Sequence, residues 1–163
     1  MATPVLDDRV LEFLQHRVMI SVASRSLDHV PSVVRCHGFR VFEQPQRLTV
    51  FVRSRHSERV LADIRATGLV AVVFSEPSTH RTLQVKGEDA VVGALDEGDW
   101  PLIGAHMEAA VAELCPLGYE ETWVRTVFEA TPAQVQAVRF TPTSAFAQTP
   151  GPRAGQPLAG ERL

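Results

Sequence analysis

Arginine gathers where apolar segments end and where a short helix begins. Arg35 and Arg40 flank one segment, Arg53 and Arg55 close the next, and Ser57-Glu58-Arg59 opens a helical stretch. Arg81 begins a further segment in which Thr82, Gln84 and Lys86 share one face by the two-residue period of a strand, while Leu83 and Val85 take the other. A phosphate monoester is the chemistry such a set suits. A helix start offers free backbone N–H groups, Ser57 a hydroxyl, and arginines bidentate charge. The competing explanation is composition: fifteen of the sixteen cations are arginine and Lys86 is the only lysine, so solvated arginines will fall at such places by chance.

Other chemistry finds less support. The chain has no GxGxxG, GxxxxGK[ST], GxSxG or HExxH, which removes the usual phosphate-loop, hydrolase and metalloprotease readings. The six histidines, His16, His29, His37, His56, His80 and His106, show no ligand spacing, and no metal site is expected. His106 reads as a satisfied, partly buried histidine on a helix face. Cys36 and Cys115 have no CxxC partner and read as reduced thiols of a cytoplasmic protein. No side chain stands out as a general acid or base, so the catalytic residues are unknown.

The elements that must position these groups follow from periodicity and caps. Leu6 to His16 places Val10, Leu11, Phe13 and Leu14 on one helical face. Strands are expected at Val18 to Ala23, Ser32 to Phe42 and Leu48 to Val52, the last two joined by a tight turn at Gln44-Pro45-Gln46 and hence antiparallel. Ser57 caps a helix ending at Gly68. Val70 to Phe74 reads as a strand buried on both faces, and Arg81 to Ala94 as a long strand bent at Gly87. Asp99 is expected to cap a helix from Trp100 to Cys115, followed by a helix within Tyr119 to Phe128 and a last strand, Gln134 to Phe140. Residues 1–148 form one domain, and the Pro/Gly-rich stretch 149–163 is a frayed tail or an arm reaching a partner subunit. Six strands with few crossover helices imply a mainly β protein, a small antiparallel barrel with flanking helices.

Composition agrees with an ordinary globular domain: 163 residues, 45% hydrophobic and 21% charged. A net charge of -3 argues against a nucleic-acid partner. No apolar run approaches a membrane span, and no signal peptide is visible, so a cytoplasmic location is expected.

One set of segments carries a resemblance: Pro31-Ser32-Val33-Val34-Arg35, Arg47-Leu48-Thr49-Val50-Phe51-Val52, Ser57-Glu58-Arg59, Val70-Ala71-Val72-Val73-Phe74, and His80-Arg81-Thr82-Leu83-Gln84-Val85-Lys86-Gly87. In order and spacing it resembles the pyridoxamine 5′-phosphate oxidase-like, FMN-binding split-barrel superfamily, over about residues 5 to 95. The resemblance implies a six-stranded split barrel, a homodimer with flavin between the subunits, and FMN as cofactor. It places Arg35, Cys36 and Arg40 near the flavin phosphate and ring, and lines the flavin with Phe51, Val52, Arg53 and Ser54. Ser57 and Arg59 hold the phosphate, and Thr82 or Gln84 reaches the ring edge or ribityl chain. Arg59 stands where the family usually has lysine. The C-terminal Arg-x-His motif of true pyridoxamine phosphate oxidases has no counterpart, so vitamin B6 oxidation is not expected. An FMN-dependent oxidoreductase acting on a small-molecule substrate is the leading reading. The alternatives are a non-catalytic flavin storage or sensing module, a deazaflavin binder, and a haem protein using His37, His56 or His80.

Overall fold

The computed structural model describes residues 5–43 and 46–158, with Glu43 described in its backbone only. Helix α1 (Asp8–Leu14) starts at Asp7, whose carboxylate accepts a hydrogen bond from Val10 N–H, and it buries Val10, Phe13 and Leu14. The strands β1 (Met19–Arg25), β2 (Pro31–Arg35), β3 (Phe39–Glu43) and β4 (Gln46–Arg53) follow. Helix α2 (Glu58–Thr67) is stopped by Gly68, which takes the left-handed conformation at φ 69° that its missing side chain permits. Then come β5 (Val70–Ser75), β6 (Thr82–Gly87), β7 (Val91–Gly93), α3 (Asp99–Leu114), α4 (Glu121–Phe128), β8 (Val135–Phe140) and β9 (Ser144–Ala147).

Two antiparallel sheets result, ordered β2-β1-β5-β6-β9 and β3-β4-β8-β7. The mainly β, antiparallel split-barrel architecture is as expected, but the described residues form nine strands rather than six. Two expected strands each break in two because the chain changes sheets partway. In the first, Cys36 N–H still bonds Ile20 of β1, whereas His37 N–H bonds Phe51 of β4. Gly38 makes the crossing at φ 143°, where a Cβ would approach Phe51 to 3.1 Å. In the second, Gly87 ends β6 rather than bending it, and β7 pairs with β8 in the other sheet. A Cβ on Gly87 would lie 2.3 Å from the Phe140 ring. The ninth strand, β9, pairs with β6 after the strand expected to be last.

The expected β3–β4 hairpin pairs in register from Phe39↔Val50 to Glu43↔Gln46, while Gln44 and Pro45 of its turn lie outside the described residues. β5 is fully buried on one face only: Val70, Val72 and Phe74 enter the core, while Ala71 and Val73 remain half-buried. β4 is the strand buried on both faces. Leu48, Val50 and Val52 join the central core, and Phe51 packs with Ile103 of α3 and with Val135 and Ala137 of β8. A third cluster, Ala110, Leu114, Val124 and Phe128, joins α3 to α4 and to Met19 of β1.

The C-terminal stretch is not frayed over its described part, to Leu158. Ala147 N–H donates to Gln156, Gly155 N–H to Ala147 and Leu158 N–H to Ala145, so residues 148–158 double back on β9 of their own chain. Residues 159–163, the rest of the expected tail, lie outside the described residues. No helix among the described residues is long and apolar enough to cross a membrane.

Candidate functional site

β4 runs into α2 through Ser54 and His56, and that passage sets the first group of candidates. Ser57 occupies the N-cap position of α2, as expected, yet its side chain makes no capping hydrogen bond. The residue is 2% exposed and its hydroxyl has no hydrogen-bond partner among the described residues. A buried hydroxyl left unbonded costs about 1–3 kcal/mol. His56, immediately before it, holds a left-handed φ of 71°, a conformation uncommon outside glycine. Arg59, in the first turn of α2, is exposed and forms no ion pair among the described residues. Glu58 opposes them: its carboxylate accepts from His56 N–H at 3.2 Å. The backbone N–H groups of Glu58 itself and of His56 hold its carboxyl below the usual carboxylate range.

Arg53 and Ser54 are half-buried. Arg53 Nη1 donates to the Glu129 carbonyl at 2.8 Å, and Ser54 Oγ accepts from Gln136 Nε2 at 2.9 Å. The strand that was to offer backbone groups has committed many of them: Val52 and Arg53 pair with β8, Phe51 N–H bonds Gly38, and Ser54 N–H bonds Gln134. Val52 and Cys36 turn their side chains into the central core. Burial pushes the Cys36 thiol up, so this cysteine is an unreactive core residue.

The two arginines expected to act together are parted by the β2–β3 crossing. Arg35 stays at the end of β2, its guanidinium 5.4 Å from the centroid of the Phe128 ring. Arg40 sits on β3 of the other sheet and is neutralised there. Its Nη2 donates to Asp96 Oδ2 at 2.8 Å, and its Nη1 lies 2.8 Å from Asp99 Oδ1 as a charge contact rather than a directed hydrogen bond. Arg139 of β8 reaches the same Asp96 at 3.0 Å. Arg40 is therefore not brought to the α2 start. Asp99 is also not the N-cap of α3: Gly98 is, at φ 87°, and the fully buried Asp99 carboxylate accepts from Asp96 N–H instead.

Thr82 and Gln84 lie on the outer face of the five-stranded sheet, opposite the buried Leu83 and Val85. The pairing registers run Arg35, Ser21, Val73, Gln84 and Phe146 straight across that face. Three strand spacings, about 14 Å, separate Arg35 from Gln84 across Ser21 and Val73. Thr82 Oγ1 is already shared with Ser75 Oγ and the His80 carbonyl.

Sequence reasoning missed a pair of buried imidazoles beside Arg35. His37 and His106 are 6% and 7% exposed, and both rings meet Phe128 edge-on. Among the described residues neither nitrogen of His37 has a well-directed hydrogen bond, its nearest being the Val127 backbone, and Nε2 of His106 has none, so His106 is only in part the satisfied histidine expected. Burial, reinforced by Arg53 and Arg35, lowers His37 to about 4. Burial, His37 and Arg35 do the same to His106. Both rings are neutral at pH 7. His56 and His80, the other haem-ligand candidates, are exposed and left-handed. No group of three metal-ligating side chains is present among the described residues.

No model of a known protein family matches the chain, and no curated protein matches it by sequence. Solved structures do match over nearly their whole length. An F420 reductase is 17% identical, covering 82% of this chain and 93% of its own, with a TM-score of 0.54. A pyridoxamine 5′-phosphate oxidase-related, FMN-binding protein of Nostoc punctiforme is 14% identical, covering 94% and 89%, at 0.52. HutZ, the haem storage protein of Vibrio cholerae, is 15% identical, covering 90% and 95%, at 0.50. With two antiparallel sheets exchanging strands at Gly38 and Gly87, the chain has the fold of the pyridoxamine 5′-phosphate oxidase-like split barrels.

Proposed function

We propose that the chain binds FMN and uses it as an oxidoreductase cofactor for a small-molecule substrate, as a homodimer with flavin at the subunit boundary. The observation that carries this reading is the buried, unbonded hydroxyl of Ser57 at the start of the ten-residue helix α2. A phosphate there takes up the free N–H groups of the first turn and gives Ser57 its missing acceptor. Arg59 supplies charge. Arg35 and Gln84 bracket the sheet face on which the ring would lie, and Arg53 flanks it. When bound, FMN supplies reversible hydride and electron transfer, while the protein binds and orients it. The Glu58 carboxylate competes for the same helix start and must swing away when phosphate arrives. For the dimer, the outer sheet face offers the exposed Val33 beside half-buried Ala23, Ala71 and Val73, and a second copy is the partner that suits it.

The test compares flavins with and without the phosphate. Each charged hydrogen bond to it is worth about 1.5–3 kcal/mol, so Arg59→Ala should weaken FMN at least about tenfold. The same substitution should leave riboflavin binding unchanged. Equal weakening of both flavins would remove Arg59 from the site. Light scattering that gives a monomer mass with FMN bound would remove the shared boundary.

A second reading has its own support. His37 is neutral and buried, and its ring makes at most a backbone contact with Val127 among the described residues, which leaves a ring nitrogen suited to axial ligation of haem iron. The absorption spectrum separates the two: flavin absorbs near ~450 nm and bleaches with dithionite, whereas haem gives a band near ~400 nm.

A further inference from the structure

A cavity of about 420 Å³ opens between α1, the start of β6 and the doubled-back C-terminal stretch. Its lining includes neither Ser57, Arg59 nor Arg35. That volume lies within the range of small-ligand sites. Val10, Phe13 and Leu83 are its buried apolar walls, and Arg9, Arg81 and Arg153 stand exposed around it. None of these arginines is within ion-pair distance of a carboxylate among the described residues. The one acid in the lining among the described residues, Asp7, is occupied in accepting from Val10 N–H at 2.9 Å.

The wall is also held in place. Arg81 lies over the Phe13 ring at 5.0 Å. Thr149 and Thr82 exchange two hydrogen bonds, Thr82 N–H to Thr149 Oγ1 at 3.0 Å and Thr149 Oγ1 to the Thr82 carbonyl at 3.3 Å. These tie the arginine-bearing stretch to β6, so the cost of ordering the site is met by the fold before a ligand arrives.

We propose that this cavity is a second binding site, for a small organic anion whose apolar body lies against Phe13 and Leu83 and whose oxyanion head, carboxylate or phosphate, meets the arginines. Arginine is the side chain suited to such a head, because its planar fork matches two oxygens. An apolar floor beneath unpaired guanidinium groups leaves net positive charge, which a neutral ligand would not compensate.

The experiment is amide NMR on the full chain with whatever cofactor it carries, titrated with phenylacetate, phenyl phosphate and the neutral 2-phenylethanol. The two anions should shift Thr82, Thr149 and Gly151 saturably at millimolar concentration, and 2-phenylethanol should bind at least about tenfold more weakly. The stronger of the two anions identifies the head group. Arg81→Gln should erase that preference, and Arg153→Gln, which leaves Phe13 untouched, should reduce it severalfold. The proposal is overturned if neither anion produces saturable shifts, or if the alcohol binds as tightly as the anions. It is also overturned as a separate site if saturating FMN displaces phenylacetate. Because no step depends on flavin, a colourless protein that binds phenylacetate here would leave this site standing while removing the FMN reading.

Discussion

Among the described residues, two polar clusters built around buried groups are in opposite states. In one, on the outer side of the four-stranded sheet, Arg40 and Arg139 close on Asp96 and Asp99. Charge there is cancelled inside the protein. In the other, at the strand ends, Arg35 and Arg53 lie beside the buried His37 and His106, Ser57 follows Arg53 at the start of α2, and no carboxylate forms an ion pair with either arginine among the described residues. Burial is costly in both, but the first recovers it by pairing and the second does not. A cluster whose charges cancel fixes the fold even though Arg40 Nε and Asp99 Oδ1 make no directed hydrogen bond; one left with uncancelled positive charge beside unbonded imidazoles is suited to a ligand.

The largest effect expected from this contrast is on stability. Arg40→Met leaves the fully buried Asp99 with Asp96 N–H and an Arg139 contact at 3.9 Å. Removing one partner of a buried pair costs about 3 kcal/mol. Arg35→Met, which removes only an exposed guanidinium over Phe128, should cost under about 1 kcal/mol. Urea unfolding of the two variants measures the difference. Adding Asp99→Leu to Arg40→Met should restore much of the loss, since apolar replacement of a buried pair is often neutral. Equal costs for Arg40→Met and Arg35→Met would erase the distinction between the clusters.

The unpaired cluster has a pH signature of the next size. His37 and His106 sit near 4 in the folded chain and near 6.5 when unfolded. Between those values the unfolded chain holds more protons, so stability is complete above about pH 6.5 and falls as pH drops toward 4. Each histidine contributes a slope of up to about 1.4 kcal/mol per pH unit. The Asp96 carboxyl, held low first by its hydrogen bond from Arg40, loses its contribution only below the ordinary carboxylate range. From about pH 6.5 to 4.5, above the ordinary carboxylate range, the two buried histidines are therefore the expected source of the fall. Urea midpoints that fall from pH 7 to pH 5, by about half as much in His106→Leu, are the expected result. Flat midpoints would mean the rings find partners in solution.

This contrast could not have been read from the sequence, for a physical reason. Arg35 and Arg40 are near neighbours in the chain, and what separates them is the sheet crossing at Gly38, a single glycine inside a run that otherwise reads as one strand. The carboxylate that neutralises Arg40 is 56 residues away, beyond any local signal. The same holds for β9, four residues whose only reason to be a strand is the edge of β6. What was legible was local: the apolar face of α1, the Gly68 helix end, the β3–β4 hairpin, the inward Leu83 and Val85, and the position of Ser57 at the start of α2. That the Ser57 hydroxyl is left unbonded there was not.

Ser57 gives the smallest effect on stability and the sharpest separation of the two kinds of cluster. An N-cap serine normally stabilises its helix by accepting a bond from the first turn, and its loss costs about 1 kcal/mol. Here the hydroxyl makes no such bond and is buried without a partner. Ser57→Ala should therefore leave the ligand-free protein unchanged or up to about 1 kcal/mol more stable, because it removes a desolvated group rather than an interaction. In the presence of FMN the sign should reverse. The wild type gains a hydrogen bond to phosphate that the variant lacks, and its affinity should exceed the variant's by about tenfold. Thermal unfolding with and without FMN shows both halves at once: the variant melts at or above the wild type alone, and below it when both are saturated with FMN at equal concentration. If Ser57→Ala destabilises the ligand-free chain by the usual capping amount, the hydroxyl belongs to the fold, and the cluster at α2 joins Arg40 and Asp99 as one more self-contained network.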